Sequence, residues 1–281
     1  MMTGGMENNM NNRRVFQFIL MIILICACSL TTVHAQEAQP HKWTAQEVAE
    51  ALVDPAATIT YLNVSYRDYK DVGPRDKTNQ EYRLNGAGFF NLPNGSSVFY
   101  RAFLPFYDNE FPVNKSGMGD ALLSAYWVPT KGPFILGYGA ALIAPTASED
   151  FFGTGKWSAG PTIVIAKKEP GVYTVGGLAT HVWSFAGDSE RENVSMTTIQ
   201  PALTYFLNKK GTSVSLTSET TYNWEANTDP WQVPLTVAIG QILPPFGKFF
   251  VGVALGGTYY VVKSDLAPEW DLRAVVSIVL P

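Results

Sequence analysis

Histidine and serine side chains are the groups in this sequence that could carry hydrolytic chemistry. Downstream of residue 35 the chain has two histidines, His41 and His181. A hydrolase needs a nucleophile, a base and a group that orients the base. His181 and Ser184 are three residues apart on a predicted strand, so their side chains point to opposite faces. Ser158, on another strand, is the remaining candidate nucleophile. We therefore expect no enzyme, and a structural or interfacial role for His181.

Acidic side chains offer a second kind of chemistry, the binding of divalent cations. Glu149, Asp150, Asp188 and Glu190 lie in polar connections, where carboxylates can bind such ions but are more often simply solvated. Two histidines, and no cysteine downstream of residue 35, argue against a zinc-type site. The glycine-rich runs do not lead into a helix, so they are not phosphate loops. The sequence therefore predicts no cofactor and no metal.

Charged and amide side chains within segments of strand character are the third candidate. By alternation along those segments they share an inward face, and they are Arg101, Asp120, Gln200, Glu219, Asn223, Asp271 and Arg273. If the strands cross a bilayer, an arginine facing lipid at the midplane costs about 2–4 kcal/mol, so the interior is the favourable location. Two interpretations stay open: a polar constriction that selects solutes, or a salt-bridged plug that fills the interior.

Low charge is the compositional feature that bears on membranes. Charged residues make up 16% of the 281-residue chain, whereas soluble domains have about 25%. The net charge of −4 gives no broad basic face for nucleic acid. Because a water-facing exterior needs more charge than this, the composition favours a lipid-facing exterior. We expect outer-membrane lipid, and not nucleic acid, as a partner.

The first 35 residues are typical of an export signal. Arg13 and Arg14 precede an apolar run that ends near Ala27, and Val33-His34-Ala35 resembles a signal-peptidase site. The run is shorter than the roughly 20 residues of a membrane-spanning helix. We expect residues 1–35 to be a cleaved signal peptide, with lipidation of Cys28 as the alternative. Contact with the barrel assembly machinery of a Gram-negative bacterium follows as an expectation.

A short helix is predicted ahead of the strands. Thr44-Ala45-Gln46-Glu47 has the pattern of a capping box. Val48, Ala49 and Leu52 follow at helical spacing, before Asp54-Pro55 ends the pattern. We interpret residues 36–58 as a periplasmic segment with one short helix, and we expect that segment to be a linker with no further role.

From residue 59 onward the chain divides into about twelve segments of strand character, close to the length of about 9–11 residues of tilted membrane strands. The segments run approximately over residues 59–69, 82–92, 96–106, 119–128, 134–144, 156–166, 172–185, 197–207, 213–224, 231–243, 249–262 and 269–280. Apolar residues recur at every second position in several of them, most clearly over residues 213–224 and 269–280. This period of two predicts an apolar face and a polar face on each strand.

Connection lengths decide between a membrane barrel and a soluble sandwich. Short connections such as 93–95 and 208–211 alternate with longer polar ones such as 70–81 and 107–117. Outer-membrane barrels have short periplasmic turns, longer extracellular loops and tryptophans at both interfaces. Six tryptophans do lie near predicted strand ends: Trp127, Trp157, Trp183, Trp224, Trp231 and Trp270. The pattern favours the barrel.

Several spaced motifs also resemble those of a known family. They are Gly-Tyr-Gly at 137–139 with Ala-Pro-Thr-Ala-Ser at 144–148, Gly-Lys-Trp-Ser-Ala-Gly-Pro at 155–161, Trp-Ser-Phe-Ala-Gly-Asp at 183–188, Ile-Gln-Pro-Ala-Leu-Thr-Tyr at 199–205 and Trp-Gln-Val-Pro-Leu at 231–235. Together they resemble the transporter family named after the MetA pathway of phenol degradation. The resemblance covers residues 59–281 and implies an outer-membrane barrel, a channel for aromatic or other apolar small molecules. It carries no catalytic residues.

The sequence thus predicts an all-β fold, an antiparallel transmembrane β-barrel of about 12 strands over residues 59–281. A sheet survives within a bilayer only when it closes on itself, because no water can satisfy its free edges. The expected function is an outer-membrane channel for small solutes. Two alternatives stay open: a structural or surface-binding barrel with a plugged lumen, acting through longer connections such as 70–81, and a soluble periplasmic β-protein.

Overall fold

A computed structural model describes residues 42–129 and 132–280. The predicted signal peptide, its Cys28 and the histidine His41 lie outside the described residues. Residues Trp43–Pro281 form one compact unit. Within the described part no helix has the length and apolar character needed to span a bilayer.

Fourteen strand segments and one helix follow one another along the described chain. The helix α1 is Ala45–Val53, and the strands are β1 Thr60–Val72, β2 Lys77–Asn91, β3 Ser97–Asn109, β4 Lys115–Met118, β5 Ala121–Val128, β6 Phe134–Ala144, β7 Lys156–Glu169, β8 Tyr173–Gly187, β9 Ser195–Phe206, β10 Thr212–Thr217, β11 Thr220–Asn223, β12 Trp231–Ile242, β13 Phe250–Val262 and β14 Trp270–Leu280. Short 3₁₀ turns occur at Gly73–Arg75 and Asp150–Phe152.

All neighbouring strands pair antiparallel, and β1 pairs with β14 from Thr60↔Leu280 to Lys70↔Trp270, which closes the sheet. The segments β4 and β5 lie end to end against β3, and β10 and β11 lie end to end between β9 and β12. The fourteen segments therefore occupy twelve positions around a closed barrel. Closure leaves no free edge, and the predicted fold class is confirmed.

The barrel has two distinguishable ends. We call the end with connections 92–96, 129–133, 170–172, 207–211 and 243–249 the turn end, and the opposite end the loop end. Several strands continue farther toward the loop end than their apolar pattern predicts, so the expected connection 70–81 shrinks to residues 73–76. The added strand residues are mostly polar. They are paired by backbone hydrogen bonds, but they lack the apolar alternation from which the strands were predicted.

Apolar side chains cover the outside of the barrel wall. In β14, Leu272 is 52% exposed on the outer face, while its neighbour Asp271 is fully buried on the inner face. Leu255 is 65% exposed in the middle of β13. This distribution is the inverse of a soluble protein, in which such residues form the core. It matches a surface in contact with lipid.

Prolines explain why one barrel position is broken between β10 and β11. The pairing register sets Ser218 opposite Pro201 on β9 and Glu219 opposite Pro234 on β12. A proline has no N–H to donate to the ladder. One hydrogen bond survives, from the Ser218 amide to the Pro201 carbonyl at 3.0 Å. The interruption leaves Glu219 on the inner side of the wall, where it lines the cavity.

Helix α1 begins with the predicted capping box. The Thr44 hydroxyl accepts a hydrogen bond from the Glu47 amide at 3.2 Å, and the Glu47 carboxylate accepts one from the Thr44 amide at 2.8 Å. These two bonds satisfy amides that have no partner within the helix. The helix ends at Val53, and Asp54 is its C-cap ahead of Pro55, close to the end that the sequence predicted.

Candidate functional site

Helix α1 packs inside the turn end of the barrel. Its residues Val48, Ala49 and Ala51 are buried against inward-facing side chains of the surrounding strands, which are Phe206, Ile242, Phe250 and Val279. Val279 is one of the apolar residues that interrupt the polar inner face of β14, and the helix is the reason. The expectation of a linker with no further role is therefore wrong.

The residues that follow the helix reach the opposite wall. Asp54 forms an ion pair with Lys168 at the end of β7. The Pro55 carbonyl accepts a hydrogen bond from the Tyr126 hydroxyl at 2.7 Å, and Ala56 is buried among inward-facing residues of β3 and β5–β8. Residues 45–57 thus contact the inner face of the barrel wall on two opposite sides of the lumen. We call this segment the plug.

A cavity of about 1150 Å³ occupies the barrel interior above the plug. Of the seven predicted lumen residues, five line it: Arg101, Asp120, Gln200, Glu219 and Arg273. Asp271 lies on the inner face but is covered by Tyr260, whose hydroxyl donates to its carboxylate at 3.0 Å. Asn223 lies exposed at the loop-end rim, where its side-chain oxygen accepts from the Glu225 amide at 3.1 Å and shapes the turn.

Two arginines and two glutamates form an ion-paired group within this cavity, which we call the charge belt: Arg67, Glu81, Arg83 and Glu219. Arg67 Nη2 lies 3.1 Å from Glu219 Oε2, and Arg83 Nη1 lies 3.5 Å from Glu219 Oε1. Arg83 Nε lies 2.6 Å from Glu81 Oε1. Gln200 adds a hydrogen bond to Glu219 at 3.2 Å. The belt is balanced, with two positive and two negative charges.

The charge belt bridges separate parts of the wall. Arg67 lies on β1, and Glu81 and Arg83 lie on β2. Glu219 lies between β10 and β11, which are separated from β1 by β12, β13 and β14. The ion pairs therefore cross the lumen and narrow it. Glu219 keeps 31% of its side chain exposed, so the belt is in contact with the cavity.

Sequence reasoning missed three members of the belt. Arg67 and Arg83 lay within predicted strands, on the same faces as Asn63 and Asn85, whose side chains also meet inside the barrel. Glu81 had been assigned to a connection, because the apolar alternation of β2 begins only at Tyr82. Applying the inward-charge rule to every predicted strand would have found both arginines.

Asp120 is engaged in fastening a loop. Its carboxylate accepts hydrogen bonds from the Ala147 amide at 3.2 Å, the Thr154 amide at 2.7 Å and the Thr154 hydroxyl at 2.9 Å. These bonds hold connection 145–155 over the loop end of the cavity. Phe152 of that connection stacks on Tyr107, with ring centroids 5.5 Å apart.

Within the described residues, His181 forms no hydrogen bond with Ser158 or Ser184. Its Nδ1 is 2.7 Å from the Thr197 hydroxyl, and its ring centroid lies 4.1 Å from that of Trp183. The Ser184 hydroxyl instead accepts a hydrogen bond from the Val194 amide at 3.0 Å. His181 thus packs among aromatic side chains, those of Trp183 and Trp224. Across residues 42–129 and 132–280, no three or more His, Cys, Asp or Glu side chains form a group that could hold a metal ion.

Comparisons with known proteins support the fold. No protein-family model matches this chain, and no curated protein sequence matches it. The crystal structure of the COG4313 outer membrane channel from Pseudomonas putida F1 aligns with a TM-score of 0.62 at 18% identity, over 81% of this chain and 99% of that one. The NanC porin aligns with a TM-score of 0.51 at 10% identity, over 79% of this chain and 99% of that one. The chain therefore has the fold of an outer-membrane barrel, and the resemblance to the MetA-pathway family stays a prediction.

Proposed function

We propose that this protein is a bacterial outer-membrane channel for small apolar or aromatic solutes. The observation that carries the proposal is the interior cavity of about 1150 Å³, which extends from the loop end to the plug inside a closed wall. Ligand sites in proteins are concave and usually combine apolar walls with few polar groups. Here the charged groups that the wall contributes to the cavity are the charge belt, Arg101, Asp120 and Arg273.

The outer-membrane location is supported by the barrel exterior. Its apolar residues, such as Leu255 and Leu272, would otherwise face water. The two barrels that align with this chain are described as an outer membrane channel and a porin. The export signal expected at residues 1–35 agrees with the same location.

The solute class is supported by the entrance at the loop end. Side chains from three connections line the cavity there, and they are Phe111, Pro112, Phe151, Leu266 and Pro268. All five are apolar, so an apolar or aromatic solute would gain contact with them as it loses water. The charge belt beneath them would then act as the constriction that selects among solutes.

A plugged barrel that acts at the cell surface is the second candidate. The observation that favours it is the plug. It contacts the inner face of the wall on opposite sides of the lumen and closes the turn end with buried apolar side chains. In this alternative the cavity would not conduct, and the loops would carry the function.

Liposome swelling separates the two candidates. The full chain and a variant lacking residues 43–57 would be reconstituted and exposed to benzyl alcohol and to arabinose. Heat-modifiable migration on a gel would establish that both barrels are folded. Because benzyl alcohol crosses lipid unaided, it serves as the reference solute. We expect arabinose to enter faster than it enters protein-free liposomes, with a further increase in the variant. Folded barrels that are impermeable in both forms would refute the channel and favour the plugged barrel.

A further inference from the structure

Two arginines of the cavity lack the carboxylate partners that Arg67 and Arg83 possess. Among the described residues, no Asp or Glu oxygen lies within 4.0 Å of the guanidinium of Arg101 or of Arg273, although both side chains line the cavity. Asp120, the predicted lumen carboxylate nearest to Arg101 in sequence, accepts hydrogen bonds from loop amides, and Asp271, the one nearest to Arg273, accepts one from the Tyr260 hydroxyl. A partly buried cation without a counter-ion is unfavourable unless an anion reaches it.

The surroundings of Arg101 are aromatic. On β3, Phe99, Arg101 and Phe103 alternate onto the inner face, and the guanidinium lies 5.0 Å from the centroid of the Phe103 ring. Tyr126 stacks on Phe99 with centroids 5.8 Å apart and an interplanar angle of 22°. The only side-chain hydrogen bond of Arg101 within the described part is a long one, from Nε to the Ser124 hydroxyl at 3.4 Å. Its terminal nitrogens are left for a ligand.

Tyr61 completes this group from the neighbouring wall. The register pairs Tyr61 with Ala87 and Ala87 with Arg101, so the two side chains lie at the same height of the barrel. All of these residues also line the cavity, between the plug and the charge belt. We call the group of Tyr61, Phe99, Arg101, Phe103 and Tyr126 the Arg101 pocket.

We propose that the Arg101 pocket binds a small aromatic carboxylate on its way through the cavity, an inference that rests on the proposed function and names its solute class. A guanidinium binds a carboxylate through two parallel hydrogen bonds. The partly buried rings of Tyr61 and Phe103 accept an aromatic group in offset or edge contact, while the buried rings of Phe99 and Tyr126 pack behind them against the plug. A neutral apolar solute leaves the arginine unpaired. A small inorganic anion makes no use of the rings. An aromatic acid satisfies both features at once.

Arg273 provides a matched control for this proposal. The register links Arg273 to Arg67, Glu81 and Tyr107 in turn. Tyr107 is six residues from Arg101 on β3, which corresponds to about 20 Å along the strand. Arg273→Gln thus removes the same charge from the same cavity at a distant height.

Calorimetric titration of the detergent-solubilised full chain tests the pocket. Benzoate is the probe, and benzyl alcohol and acetate are the reference ligands. We expect benzoate to bind more tightly than either reference, and Arg101→Gln to weaken benzoate binding about tenfold. Arg101→Lys should retain part of the affinity, because an ammonium lacks the planar fork of the guanidinium. Arg273→Gln should change the affinity less than about twofold, since distant sites rarely couple.

Several outcomes would overturn the proposal. They are equal benzoate affinities for Arg101→Gln and Arg273→Gln, or acetate binding as tightly as benzoate. If Arg101→Gln fails to show heat-modifiable migration, Phe103→Leu takes its place, with benzoate binding weakened and acetate binding unchanged. Arg101-dependent benzoate binding supports the pocket even in a barrel that does not conduct. Conduction without such binding refutes the pocket and leaves the channel intact.

Discussion

Replacing Glu219 by glutamine should change the ion selectivity of the proposed channel. Glu219 is the carboxylate through which the belt crosses the lumen, at 3.1 Å from Arg67 and 3.5 Å from Arg83. The glutamine amide keeps a similar shape and can still accept hydrogen bonds through its oxygen. The substitution therefore removes one negative charge and leaves both arginines in place, so the belt becomes net positive.

The size of the effect follows from Coulomb's law. A unit charge about 4 Å from a passing ion contributes about 1 kcal/mol in a water-like medium and about 4 kcal/mol at an effective dielectric of 20. Because 31% of the Glu219 side chain is exposed to the cavity, the lower value is appropriate. About 1 kcal/mol corresponds to about a fivefold change in permeability. We expect the anion-to-cation permeability ratio to rise by at least that factor.

Reversal potentials in a planar bilayer measure this ratio directly. The recordings would use a salt gradient near 0.1 M, where the Debye length is about 10 Å, and again near 1 M, where it is about 3 Å. The shift should shrink at the higher salt. Glu225→Gln, in an exposed connection outside the lumen, is the matched control. A Glu219→Gln reversal potential equal to that of Glu225→Gln at 0.1 M would refute the assignment of Glu219 to the conduction path.

Three further substitutions test the plug, the loop and the wall. Val48 of the plug is fully buried against the strands. Val48→Asp should bury an unpaired carboxylate, release the plug and raise conductance without lowering the barrel's melting temperature; unchanged conductance would contradict the packing. Asp120→Ala should speed hydrogen exchange of the Ala147 and Thr154 amides, since each lost bond contributes about 1–3 kcal/mol; wild-type protection would disprove the fastening. Leu255→Arg should destabilise folding into vesicles by about 2–4 kcal/mol, measured by urea titration, while Asp265→Arg in a connection should not; equal effects would argue against a lipid-facing wall.

The barrel wall was predictable because its two faces meet different media. The strand expected at residues 134–144 coincides with β6, and most of the others differ from their predictions at the ends. The strand expected at residues 213–224 is instead interrupted between β10 and β11, and β4 lies largely within the expected connection 107–117. Alternation identifies a strand only while its outer face is apolar. Where β1 and β2 extend beyond the apolar zone, both faces are polar, and their residues were assigned to connection 70–81.

The interior was less predictable because it depends on contacts between distant residues. Val279 looked like an exception to alternation until the plug was seen to pack on it. The break at Glu219 follows from Pro201 and Pro234, which lie on two different strands, and no local pattern reports their register. The capping box identified helix α1 correctly. The sequence of a nine-residue helix with one apolar face does not, however, tell against which strands that face will pack.

Single-channel recording of the full chain beside the variant lacking residues 43–57 tests most directly whether the barrel is a channel. We expect discrete conductance steps, with larger steps in the variant, because the cavity already extends from the loop end to the plug. A folded, heat-modifiable variant that inserts into the bilayer and passes no current would contradict the account.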